Sequence, residues 1–131
     1  MKLLNPLLKV KTEDRNVFQI IIWWELRRIL YNIIVLICGI LSLLIMMSAA
    51  SGRVELEPGE DFYEPIMIPI FAVLCNFGYT LGWLTEIFIK RSLTYGTRMF
   101  KVGLYFTLFW VFLPTIIWIG IAIFDEINKV I

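Results

Sequence analysis

The stretch ILYNIIVLICGILSLLIMMSAA, Ile29 to Ala50, runs for 22 residues without a charge. At about 1.5 Å per residue such a run is long enough to cross the hydrocarbon of a bilayer. It is expected to form a first transmembrane helix. Pro65 to Ile89 forms a second, with Pro65 expected at the first turn, where its missing amide is harmless, and Glu86 as its only charge. Val102 to Phe124 forms a third, with no charge at all. Lipid offers backbone groups no hydrogen-bond partner, and the runs lack the two-residue alternation of barrel strands, so all three are expected to be helices. With 60% hydrophobic residues and a mean hydropathy of +0.81, the 131-residue chain reads as one all-α integral membrane domain, residues 1–131, with three helices in an up-down-up bundle.

The segments between the runs set an orientation. Lys2, Lys9, Lys11, Arg15, Arg27 and Arg28 precede the first span, and the 90–101 loop carries Lys90, Arg91, Arg98 and Lys101 without an acid. The 51–64 loop sets Arg53 against Glu55, Glu57, Glu60, Asp61 and Glu64. Basic residues are retained in the cytoplasm, so the N-terminus and the 90–101 loop are expected there, with the acidic loop and the C-terminus outside a cell (inner) membrane. Ser48 and Ala50 resemble a cleavage site, but the basic leader and the apolar run are both longer than a signal peptide uses; the first span is expected to be retained.

Residues 13–28 show a different pattern. Val17, Ile21 and Trp24 share a helical face with Phe18, while Arg15, Asn16 and Gln19 gather opposite, and Trp23 and Trp24 suit the headgroup level. An amphipathic helix lying in the interface is expected there. A plain extension of the first span packed on a partner carries the same moment.

Several function classes are disfavoured. A net charge of +1 gives no concentrated basic face for nucleic acid. There is no histidine, and Cys38 and Cys75 are isolated in apolar runs, so neither a metal nor a cofactor is expected. No nucleophile elbow, no phosphate-cradling glycine loop and no pair of carboxylates placed within one membrane pocket can be read, so no enzymatic activity is expected. The order of acids in the outer loop does not match a calcium loop. Pro114 frees the Trp110 carbonyl, predicting a kink in the third span. Trp110 and Trp118 lie away from the headgroup belt, predicting burial against protein.

The candidate site residues lie mostly on the second span. Asn76, Tyr79, Thr80, Trp83 and Glu86 recur at spacings of three and four, and Gly78 and Gly82 form a G-x-x-x-G pair beside them. An asparagine in mid-membrane is expected to hydrogen-bond across helices. Glu86, as the only acid within a span, is expected to be an anchored helix end with Arg28 or Lys90 as counter-charge. Asn32, four residues after Arg28, and Tyr105, four after Lys101, are expected at a similar depth, making a cytoplasmic-side polar cluster.

Two functions fit these features. The first is an accessory or assembly subunit whose second-span face, centred on Asn76, Gly78, Tyr79 and Gly82, packs in the lipid bilayer against itself or another membrane protein. The alternative is an oligomeric channel or transporter, including a membrane-permeabilising effector, with Asn76, Thr80 and Glu86 lining a polar path.

Overall fold

A computed structural model of the chain describes residues 4, 6–9, 15–52, 60–89 and 94–130. Among them are three helices and no strands: α1 (Val17–Ala50), α2 (Glu60–Phe88) and α3 (Tyr95–Val130). Each is long and apolar enough to cross a membrane, which makes this a multi-pass membrane protein. Every helix overruns the span read from the sequence. At 34 residues α1 is about 51 Å long, more than the hydrocarbon thickness of a bilayer.

The overrun changes three expectations. Residues 17–28 do not form a separate interfacial helix: they are the first turns of α1 itself. The start is a capping box, in which the Gln19 amide donates to Asn16 Oδ1 (2.9 Å) and the Asn16 amide to Gln19 Oε1 (3.2 Å). Ile20, Trp23 and Trp24 are buried, while Val17 and Phe18 are exposed. Pro65 is not in the first turn of α2, because the helix starts at Glu60. Pro65 and Pro69 both lie inside it, so Pro69 also lacks the amide that would have bonded the Pro65 carbonyl. The basic loop is shorter than expected, since Arg98 and Lys101 belong to α3. Residues 53–59 of the acidic loop, and Lys2, Lys11, Lys90 and Arg91, lie outside the described residues.

The helices are joined by aromatic and hydroxyl contacts at successive levels. Trp24, Tyr31, Tyr79 and Phe100 form a ring cluster with centroids 4.8–6.4 Å apart, a separation at which aromatic pairs attract beyond simple burial. Tyr31 Oη shares a 2.7 Å hydrogen bond with Thr107 Oγ1, and Tyr79 Oη donates to the Trp24 carbonyl (2.6 Å). Further along α1, Ser42 Oγ donates to the Val111 carbonyl (2.7 Å), and Thr115 Oγ1 donates to the Ser42 carbonyl (2.9 Å). These bonds flank Pro114, where the α3 backbone lacks an amide.

Candidate functional site

The most enclosed polar group among the described residues is the Glu86 carboxylate, 0% exposed at the end of α2. Its Oε1 accepts from Arg15 Nη2 in an ion pair, and its Oε2 accepts from Trp24 Nε1 (2.6 Å). Arg15 is 8% exposed and sits just ahead of the Asn16 cap, where non-helical backbone lets it reach the end of α2. The expected counter-charge is thereby corrected: Arg28 instead pairs with Glu25 (3.0 Å) and donates to Thr80 Oγ1 (2.9 Å), and Lys90 lies outside the described residues. Arginine suits a buried pair because its charge is delocalised and its donors are fixed in a fork. A paired and hydrogen-bonded carboxylate avoids the large cost of a lone charge in a low dielectric.

Two glycines make room for this knot. A Cβ on Gly82 would lie 2.8 Å from Trp24 Cη2, and one on Gly96 would lie 2.8 Å from Glu86 Oε2. Both distances are below ordinary contact, so indole and carboxylate each occupy the place of a side chain. Gly82 therefore serves packing within the chain, and the G-x-x-x-G pair is split: nothing lies within 4 Å of a Cβ built on Gly78. The N-terminal segment closes the end. Leu8 is fully buried, Thr97 Oγ1 donates to its carbonyl (2.6 Å), and Trp23 Nε1 donates to the Lys9 carbonyl (3.4 Å). The Arg27 guanidinium stands 4.1 Å from the Trp23 ring centroid, within cation–π range.

The expected cluster of Glu86, Asn32 and Tyr105 does not form. Asn32 meets Asn76, whose Nδ2 donates to Asn32 Oδ1 (3.0 Å) and to the Ala72 carbonyl (3.0 Å). Asn76 is ten residues from Glu86, about 15 Å along α2. Tyr105 is 53% exposed. The depth estimate failed because it took Arg28 as the edge of the first helix, whereas α1 continues eleven residues before it. Trp110 is 47% exposed and stacks edge-on with Phe106 and Phe109, correcting the expectation that it is buried; Trp118 is half-buried.

Of the remaining candidates, Tyr79 points into the core and Thr80 donates to the Asn76 carbonyl (3.0 Å). Trp83 keeps its Nε1 buried and without a partner among the described residues. Arg15, Trp24 and Gly96 were missed by sequence reasoning, and only the tryptophan pair beside a basic leader hinted at them. Among the described residues no three His, Cys, Asp or Glu side chains come together as a metal-ligand set. Compared with protein families, curated proteins and solved structures, the chain matches none of them, so its function has to be argued from its own residues.

Proposed function

We propose that this chain is an accessory or assembly subunit of a cell (inner) membrane, packing against itself or another membrane protein through the seam between α1 and α2. The carrying observation is the Asn32–Asn76 pair. Asn32 lies three residues inside the uncharged run and is exposed, and among the described residues its amide donors meet no partner. Leaving such donors toward hydrocarbon costs several kcal/mol by transfer estimates, a cost that a partner helix with polar groups at the same depth removes.

The helices are read as up-down-up, with the N-terminus cytoplasmic and the C-terminus outside. The order of contacts supports this: Trp24 meets Glu86 and Tyr31 meets the Cys75 carbonyl, so positions rise on α1 as they fall on α2. Positions rise together on α1 and α3, from Tyr31–Thr107 to Ser42–Thr115. The basic residues at the Glu86 end favour the cytoplasm for that end. A polar path is the weaker reading, since Glu86 is enclosed with both oxygens engaged, and Asn76 and Thr80 bond to neighbours in the chain.

Replacing Asn32 or Asn76 by leucine tests the seam. Native mass in mild detergent is expected to exceed one chain, or to include one membrane protein at fixed stoichiometry, and to fall back to one chain in either variant. A wild-type protein that runs as one chain with nothing bound sinks the assembly reading.

A further inference from the structure

On the opposite side of the molecule α2 and α3 part to leave a groove of about 440 Å³, walled by Phe71, Leu74, Gly78, Val102, Gly103 and Trp110 among others. Its lining on α2 runs from Phe71 to Thr85, about 21 Å along the helix. It is a slot whose lining is almost wholly apolar and whose width is left open by small residues, which suits the hydrocarbon chain of a lipid. Gly78 and Gly103 set that width: nothing of the protein lies within 4 Å of a Cβ on either.

The charge at one end says what kind of chain enters. Arg98, Val102, Phe106 and Trp110 follow one another at four-residue spacing on α3, and the last three line the groove. Arg98 is thus the next residue of the same stripe, one turn from Val102 and adjacent to Met99, at the groove end that Thr85 and Met99 mark. It is exposed and meets no acid among the described residues. The surrounding 90–101 segment holds four basic residues and no acid. A cation at the mouth of an apolar slot between helices is the arrangement that takes a lipid phosphate with its acyl tail.

We propose that the α2–α3 groove is a binding site for an anionic phospholipid, one acyl chain lying along Gly78 and Gly103 and the headgroup phosphate on Arg98. This surface is distinct from the α1–α2 seam, so the two proposals stand or fall separately.

Native mass spectrometry of the full chain, released from micelles carrying equal amounts of phosphatidylglycerol and phosphatidylcholine, tests it. One phosphatidylglycerol is expected to be retained in preference to phosphatidylcholine. Arg98→Gln is expected to lower that preference about fivefold, the size of one basic residue's attraction to an anionic lipid surface. Gly103→Leu, whose side chain enters open space, is expected to abolish retention of either lipid while leaving thermal stability in detergent unchanged. Equal retention of the two lipids by the wild type overturns the proposal, as does full phosphatidylglycerol retention in a folded Gly103→Leu variant.

Discussion

Two levels of the α2–α3 pair, about one helical turn apart, use glycine in opposite ways. Toward α1, Gly82 is filled by the Trp24 indole, and nearby Gly96 of α3 is filled by the Glu86 carboxylate. Toward the α2–α3 groove, Gly78 and Gly103 are filled by nothing of the protein. The first pair closes a polar knot that ties the helix ends to the N-terminal segment; the second keeps an apolar slot open. Small residues at helical spacing therefore mark closeness only where a large side chain is aimed at them.

The knot should dominate stability. Glu86→Leu strands Arg15 and the Trp24 N–H without an acceptor, and a loss of about 3–5 kcal/mol is expected, measured by unfolding in mixed micelles. The double variant Arg15→Met with Glu86→Leu should recover much of that loss, because it removes the stranded cation. A Glu86→Leu protein as stable as wild type would dissolve the contrast between the knot and the groove.

The glycines sharpen the contrast at a smaller scale. Gly82→Ala is expected to cost about 1–3 kcal/mol, since the methyl overlaps a ring that is itself wedged against Tyr79 and Phe100. Gly78→Ala and Gly103→Ala should be neutral or stabilising by up to about 1 kcal/mol, through helix propensity alone. Equal effects at all four sites, read from the same unfolding curves, would refute the division. A small loss is expected at the hydroxyl level by Pro114. Ser42→Ala removes its hydroxyl's bonds to Thr115 and the Val111 carbonyl and should cost about 0.6 kcal/mol, a typical value for hydrogen bonds between membrane helices.

The spans themselves were legible because lipid tolerates little but long uncharged helices, and Ile29–Ala50 and Val102–Phe124 have no charge to argue otherwise. Their ends were not. Arg27, Arg28 and Pro65 look like boundaries, yet a helix packed on its neighbours runs through both basic residues and proline. In lipid an apolar side chain gains little by turning inward, so the apolar face read for residues 17–24 is divided: Trp24 is buried, while Val17 and Phe18 are exposed. Glu86 stood out as the only acid in a span. Its partner Arg15 is 71 residues away and just outside a helix, where no local spacing connects the two. Asn76 was singled out correctly as a group that bonds across helices, and Asn32 is its partner.

The Asn32–Asn76 seam as an assembly surface is the central claim. The most direct measurement is the native mass of the purified 15.4 kDa chain in mild detergent, beside that of Asn32→Leu. A wild type at a fixed multiple of the chain, or bound to one membrane protein, with the variant reduced to a single chain, is the predicted result. The same mass for both proteins would contradict it.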